Sequence, residues 1–470
     1  MKSKFFCFFL LSLFLAPYLS PLFAEDQFLD SCLRIAEARD KRLIVSREQL
    51  SLAKVRIAQA ARNFFPGIAV DRQEERGIAG AGVDGGPGDA YQSEQLGFQA
   101  SQPIYEGGRQ MASYRYEHLT ANAARYNYTK TREEVFYNIK LAYYELLSLR
   151  MEYTNLKKAF DNIDKLQDKV KNEYSAKAIS ELDLLEAENF RDKVQDLYEA
   201  AETNLELANK KLLTLVGVNS FDNIPVIIPE GLVEDVPEIS FTLKECLGFL
   251  NTNNIDLRLA QTQIEMAEQK KRIVRSKVIP KIYLEGFYGQ SGEAFVSEPL
   301  TLDTVWTITG KISWSLWGNS LEITRSDEKS APSDIVDLQT RTDVSGYEAK
   351  LNLLDDLNYF VESEEGKVGY QQAEADIHDA VNKNSLELEK AYDDYINSLR
   401  SARTLKNEIT LEQRKLELLR KQNELYEIPT VQLMEESWKY AETLSTFAKT
   451  LYTNYAAVVE MERLTLVPLR

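Results

Sequence analysis

Between Gly108 and Lys177 the chain has neither glycine nor proline, and apolar positions recur in steps of four and three. The series is Val135, Ile139, Ala142, Leu146, Leu149, Tyr153, Leu156, Phe160, Ile163, Gln167, Val170 and Tyr174, broken only by Gln167. A stripe of that period is a coiled-coil seam, and at 1.5 Å per residue a helix of about 70 residues reaches roughly 105 Å. After a polar turn near 175–181, Leu184, Ala187, Arg191, Val194, Tyr198, Ala201, Leu205, Ala208, Leu212 and Leu215 carry the rhythm back towards Gly217. The small Ala187, Ala201 and Ala208 let a neighbouring helix approach closely.

The same series of elements is written twice. Cys32, Leu43, Leu50, Ala53 and Pro66 fall on Cys246, Leu257, Ile264, Ala267 and Pro280 at an offset of 214. Further on, Ser148-Leu149-Arg150 recurs as Ser398-Leu399-Arg400 at an offset of 250, with Ile179 falling on Pro429. About 36 extra residues therefore lie between strand and helix in the second copy. The second seam runs Leu388, Ala391, Tyr395, Ser398, Ala402, Leu405, Ile409, Glu412, Leu416, Leu419, Asn423 and Tyr426. Its polar Ser398, Glu412 and Asn423 predict looser packing than in the first. A duplicated unit implies pseudo-symmetric architecture.

Between the helices the period changes to two. Gln95, Gly97, Gln99 and Ser101 alternate with Leu96, Phe98 and Ala100. Trp306, Ile308, Gly310, Ile312, Trp314 and Leu316 alternate with Val305, Thr307, Thr309, Lys311, Ser313 and Ser315. Apolar on one side and polar on the other is the pattern of a membrane barrel strand. Trp306 and Trp314 share a face eight residues apart, about 20 Å of height in a tilted strand, which places them as a lipid-facing aromatic girdle. Partner strands are expected around 68–72 and 282–288, with external loops at Gly77 to Gly88 and Gly289 to Asp303. Four strands cannot close a barrel and open edges are not tolerated in lipid, so an oligomer has to supply the rest.

Residues 1–24 carry Lys2 and Lys4, an apolar run from Phe5 to Leu15, and Leu22-Phe23-Ala24 before two acids, the pattern of a secretory signal peptide. The remainder has no run of 18 apolar residues, so strands must make any membrane crossing. Formal charge is −17, and −19 once Lys2 and Lys4 are removed, which argues against nucleic-acid partners. Cys32 and Cys246 occupy equivalent positions in the two copies and read as small buried apolar residues rather than as a disulfide.

Catalysis finds no support. His118 and His378 are the only histidines, each in a helix among charged residues, and no phosphate-binding loop is present. No catalytic, cofactor or metal residues are expected, and no enzyme.

The order of these elements resembles the outer-membrane efflux proteins, the TolC-like family, over about residues 28–467. The most specific pieces are Gln102-Pro103-Ile104-Tyr105-Glu106-Gly107-Gly108, similar to the family's strand-to-helix junction, and Ser180-Glu181-Leu182-Asp183-Leu184-Leu185-Glu186-Ala187, similar to its turn-to-helix motif. The resemblance implies a mainly α fold with a small β part. Long coiled-coil hairpins and four strands per chain would build a homotrimer with a twelve-strand outer-membrane barrel and a periplasmic helical tunnel, in a diderm bacterium. It implies an efflux or type I secretion channel that conducts passively, with outer-membrane lipid, a periplasmic adaptor and an inner-membrane pump as partners. It places tunnel-entrance carboxylates at Gln432 and Glu435, of which only Glu435 keeps the acid, and adaptor-facing tip positions at Asp183 and Glu186.

The expected organisation is a signal peptide at 1–24, a first repeat at 25–217 with its tip near 175–181, a linker at 218–240, and a second repeat at 241–467. The second tip lies near 426–432 and an insertion at about 325–367 is expected below the barrel. Neither tip carries the turn glycine usual in the family. A periplasmic coiled-coil scaffold or adhesin is the alternative, and the alternating strands and paired tryptophans discriminate against it, since a rod needs neither.

Overall fold

The computed structural model describes residues 24–78, 90–221, 238–316, 318–331, 343–355, 357–425 and 427–469. The signal-peptide reading of 1–24 falls almost wholly outside the described residues. So do most of the Gly77 to Gly88 loop, most of the 218–240 linker, and Tyr426.

In chain order the elements are α1 (Ala24–Arg39), α2 (Lys41–Arg62), β1 (Gly67–Ile78), β2 (Ala90–Glu106), α3 (Arg109–Ser175) and α4 (Glu181–Val216). They continue with α5 (Leu243–Asn253), α6 (Ile255–Arg275), β3 (Lys281–Phe295), β4 (Asp303–Leu316), β5 (Asn319–Lys329), β6 (Asp343–Asn352), α7 (Asn358–Glu424) and α8 (Thr430–Thr465). Two compact units result, one from residues up to 47, 128–257 and 380 onward, the other from 48–127 and 258–379.

The duplication is visible in element length. α3 and α7 are each 67 residues, and α4 and α8 are each 36. Buried Val135, Ile139, Ala142 and Leu146 of α3 correspond to buried Asn384, Leu388, Ala391 and Tyr395 of α7. That is an offset of 249 (384 − 135), one less than the sequence match of Ser148 with Ser398 implied. Ile179 therefore corresponds to Ile428, and Pro429 to Ser180, the residues that cap α8 and α4. The offset of 214 for the first part holds, with Cys32 and Cys246 both fully buried and unpaired.

In the helical unit the seam expected from the 4,3 spacing forms the core. Phe28 and Cys32 of α1, Ile139, Tyr143 and Leu146 of α3, Leu212 of α4, and Phe447 and Leu451 of α8 pack in one cluster. Ala187, Val194, Ala201 and Ala208, seven residues apart along α4, are all buried, which fits small residues to a close helix approach. Two of the polar positions of the second seam, Ser398 and Asn423, are hydrogen-bonded within the core. Asn454 donates to the Ser398 hydroxyl at 3.1 Å, and Asn423 donates to the Ile428 carbonyl at 3.1 Å. Of the three polar seam positions, Glu412 is the one with a buried side-chain oxygen that lacks a hydrogen-bond partner among the described residues.

The sheet departs from expectation in strand number: six strands, not four, lie in the order β1-β2-β3-β4-β5-β6, every neighbouring pair antiparallel. The insertion expected at about 325–367, below the barrel, is thus partly strand. Residues 325–329 and 343–352 belong to β5 and β6, the first of which starts earlier, at Asn319, and 358–367 open α7. The two offsets differ by 249 − 214 = 35 residues, which the β5–β6 hairpin accounts for. The Gly289 to Asp303 stretch is likewise strand as far as Phe295, because Gly289 to Phe295 pairs with Tyr91 to Gly97 of β2.

Candidate functional site

Two regions bear on function, the faces of the sheet and the tips of the helical hairpins. In an antiparallel sheet directly opposed residues share a face, so the register assigns every side chain a side. Val70 opposes Phe98, Phe98 opposes Tyr288, and Tyr288 opposes Trp306. By the same rule Ile68, Leu96, Ala100, Ile282, Leu284, Ile308, Ile312 and Trp314 share that face, joined by Leu321, Ile323, Tyr347, Ala349 and Leu351 of the added hairpin. Ile68, Val70, Phe98, Tyr288, Ile308, Tyr347 and Leu351 each expose more than half their surface. The face turns charged towards one end, at Arg72, Glu74 and Arg76 of β1 and at Arg325, Asp327 and Lys329 of β5, and its apolar part, spread over six strands, is left open.

The opposite face holds Asp71, Gln73, Gln95, Gln99, Ser101, Glu285, Thr307, Thr309, Lys311, Ser313, Glu322, Thr324, Glu348 and Lys350. Lys311 of β4 and Glu322 of β5 form an ion pair across it. Among these polar groups the Phe287 ring lies over Gly97 and Gly289, filling the space a side chain would need at either position.

Trp306 and Trp314 lie on the apolar face as the alternation predicts. The Trp314 indole donates to the Val278 carbonyl at 3.0 Å, at the turn where α6 gives way to β3. An apolar ring with a satisfied polar tip suits the boundary between hydrocarbon and water. At the other junction, between β2 and α3, Gly107 has φ 63, and a side chain there would meet the Ser276 carbonyl at 2.7 Å. The glycine of the Gln102 to Gly108 motif is thus fixed by the close approach of a neighbouring backbone.

At the first hairpin tip, Ser180 and Asp183 form a capping box. The Asp183 amide donates to the Ser180 hydroxyl at 3.2 Å and the Ser180 amide donates to the Asp183 carboxylate at 2.9 Å. The Ser180 hydroxyl, which donates to the Asp183 carboxylate at 2.7 Å, and the Ser180 amide hold that carboxyl below its ordinary range, so it stays ionised as a cap. Glu186 is exposed one turn further on, and Leu182 and Leu185 beside it are also exposed. The tip has no glycine, yet its geometry is the one a glycine serves. Lys177 adopts φ 59, its amide donates to Tyr174 at 2.8 Å, and the Ala178 amide donates to Glu173 at 2.9 Å, closing a Schellman motif.

At the second tip Gln432 and Glu435 are both exposed on the first turns of α8. Glu435 pairs with Lys439 at 3.1 Å, while Glu436, more enclosed, pairs with Lys415 at 2.5 Å, which draws the Glu436 carboxyl below its ordinary range. Within one chain Gln432 and Glu435 meet neither Asp183 nor Glu186 through any hydrogen bond or ion pair.

The structure brings together a set that the sequence reading left apart. Lys169 of α3 donates to the Asn423 side-chain oxygen at 2.6 Å, and the Asn423 amide donates to the Thr430 hydroxyl at 3.1 Å. The Thr430 hydroxyl in turn donates to Glu173 of α3 at 2.8 Å. The chain of bonds therefore ties the end of α3 to both sides of the second tip. A polar residue in a seam, Asn423, was the available signal; its partners, far away in sequence, were not. Among the described residues no group of three or more His, Cys, Asp or Glu is placed to hold a metal, and no helix is long and apolar enough to cross a membrane.

Residues 32–218 match the model of the Outer membrane efflux protein family. No curated protein matches the chain in sequence. Among solved structures, the Campylobacter jejuni CmeC outer membrane channel is similar at 13% identity and a TM-score of 0.73, covering 94% of this chain and 86% of that one. The Vibrio cholerae outer membrane protein VceC is similar at 12% identity and 0.72, covering 94% and 97%. The open state of the Neisseria gonorrhoeae MtrE outer membrane channel is similar at 14% and 0.70, covering 94% and 90%. The resemblance to the TolC-like outer-membrane efflux proteins is thereby shown, in sequence across the first repeat and in fold across the whole.

Proposed function

We propose that the chain is the outer-membrane channel of a multipart efflux or type I secretion system. It assembles as a homotrimer whose sheets close a barrel in lipid and whose helical hairpins line a periplasmic tunnel. The observation that carries the reading is the two-faced sheet: Val70, Phe98, Tyr288, Trp306 and Ile308 on one side, with Gln99, Thr307, Thr309 and Lys311 on the other. Such a sheet is soluble only with its apolar face in hydrocarbon and its polar face around water. Trp306 and Trp314 then lie towards the two interfaces.

Conduction is passive, and an inner-membrane pump joined through a periplasmic adaptor drives export. The adaptor meets the first hairpin, where Leu182, Leu185 and Glu186 are exposed around the Asp183 cap. Gln432 and Glu435 of the second hairpin stand at the tunnel entrance. Three Glu435 carboxylates around a threefold axis would attract cations and repel anions.

The test is single-channel recording of the detergent-extracted protein in a planar bilayer. Glu435→Ala raises basal conductance and weakens cation selectivity, whereas Glu186→Ala does neither. A protein that stays folded and soluble without detergent and never conducts would establish the scaffold reading instead.

A further inference from the structure

We propose that β5 and β6 are part of the barrel wall, so that the seam between copies runs from β6 of one protomer to β1 of the next. A trimer then closes on eighteen strands, three copies of the six observed. This rests on the channel reading above and adds to it a partner surface, namely the β6 edge, which takes the β1 edge of a second copy of this chain.

The hairpin is built into the sheet rather than laid against it. β5 pairs with β4 without interruption from Trp306 opposite Lys329 to Leu316 opposite Asn319, with Gly318 at φ 82 in the turn between them. At its base the Leu354 amide donates to Asn319 at 3.0 Å, Asn352 donates to the Ser320 hydroxyl at 3.1 Å, and Ser320 donates to Asp355. The Lys311–Glu322 ion pair fastens it to β4 on the polar face. β4, an edge if there were only four strands, is therefore covered, and the free edges are β1 and β6.

Those two edges fit each other. Unpaired backbone donors and acceptors in hydrocarbon cost several kcal/mol each, so both must find a partner strand. The strands alternate in direction, so β6 runs opposite to β1, as an antiparallel seam needs; adding two strands preserves this, whereas adding one would reverse it. Their apolar bands also begin at the same end. On β1 the apolar face starts with Ile68 and Val70 next to the helix junction and then turns charged at Arg72, Glu74 and Arg76. On β6 it starts with Leu351, Ala349 and Tyr347 at the corresponding end and then turns polar at Ser345 and Asp343. Side by side they continue one hydrophobic belt with one polar rim.

The consequence is a wider outer mouth. With strands about 4.8 Å apart and tilted about 40°, twelve give a backbone diameter of about 24 Å and eighteen about 36 Å. An extra hairpin per copy thus makes room for bulkier cargo at the membrane without changing the helices.

Disulfide trapping tests the seam, in a background carrying Cys32→Ala and Cys246→Ala. Glu348→Cys or Lys350→Cys on β6 is combined with Ala69→Cys, Asp71→Cys or Gln73→Cys on β1, all on the polar face, and the membrane-extracted protein is oxidised. At least one combination gives a ladder ending at three chains. Thr309→Cys on β4 with the same β1 positions gives none, because three strand spacings, about 14 Å, exceed disulfide reach. A β4–β1 ladder would overturn the seam and leave the channel reading intact. No ladder from either set, in a protein that is monomeric without detergent, would overturn both. As a second measurement, a fluorophore on Tyr347→Cys is quenched by brominated acyl chains and one on Glu348→Cys is not. Equal behaviour at the two positions would place the hairpin outside the wall.

Discussion

The ammonium of Lys169 donates to the side-chain oxygen of Asn423 at 2.6 Å, across 254 residues of sequence, and so joins the ends of the two longest helices. Asn423 is almost fully buried, and its amide also serves Ile428 and Thr430, so both ends of that side chain are spoken for. Removing it strands several buried polar groups at once.

Asn423→Ala should therefore cost about 1–3 kcal/mol of stability and loosen the second tip against α3. In bilayer recordings its basal conductance rises and its openings lengthen. Thr430→Val, which removes the hydroxyl donated to Glu173, moves conductance the same way by less. Unchanged conductance in both variants would show that this bonding has no part in closing the tunnel.

The two faces of β4 should respond oppositely to charge. Ile308→Arg or Ile312→Arg puts a guanidinium on the exposed apolar face, at a cost of about 2–4 kcal/mol near the bilayer midplane. Thr309→Arg puts the same group on the polar face and is tolerated. Heat-stable trimer recovered from outer-membrane fractions is the measurement, and equal yields would mean that the faces are assigned the wrong way round.

Lys177 occupies the left-handed region at φ 59, where a side chain is disfavoured by about 1–2 kcal/mol. Lys177→Gly should raise stability by about 1 kcal/mol, and Lys177→Val should lower it, since a β-branched residue fits that conformation worse. Denaturant unfolding of the two variants reads the sign directly.

Burial pushes the Glu412 carboxyl above its ordinary value near 4.5, with Glu408 and Glu436 adding to the shift and the Thr443 hydrogen bond and Lys415 opposing it. A carboxyl raised in the folded state contributes its stability fully below the unfolded value and loses it as pH rises through the folded one. Glu412→Gln avoids that loss, so its advantage over the parent protein grows from pH 4 to pH 7. Melting temperatures across that range check the slope, and a constant difference would assign the effect to packing alone.

What the sequence determined by itself was whatever repeats within a few residues. The 4,3 spacing from Val135 to Val170 marked the first seam because a helix returns each such position to one side, and Ile139, Ile163 and Val170 are indeed buried. The alternation from Val305 to Ser315 fixed the faces of β4 because successive strand residues point oppositely.

Tertiary structure decided the rest, where the determining partner is distant or the pattern is mixed. β5 and β6 escaped the period-two reading because Arg325, Asp327, Lys329 and Asp343 share a face with Leu321, Ile323 and Leu351, so the alternation dissolves halfway along each strand. Only pairing with β4 makes them strands of the same sheet. The one-residue correction of the repeat, from 250 to 249, likewise came from which side chains are buried, since two serines can match in sequence without occupying equivalent places. Asn423 looked like a weakness in the second seam, and Lys169 and Thr430 turn it into a fastening, because a buried amide is costly only until its partners arrive.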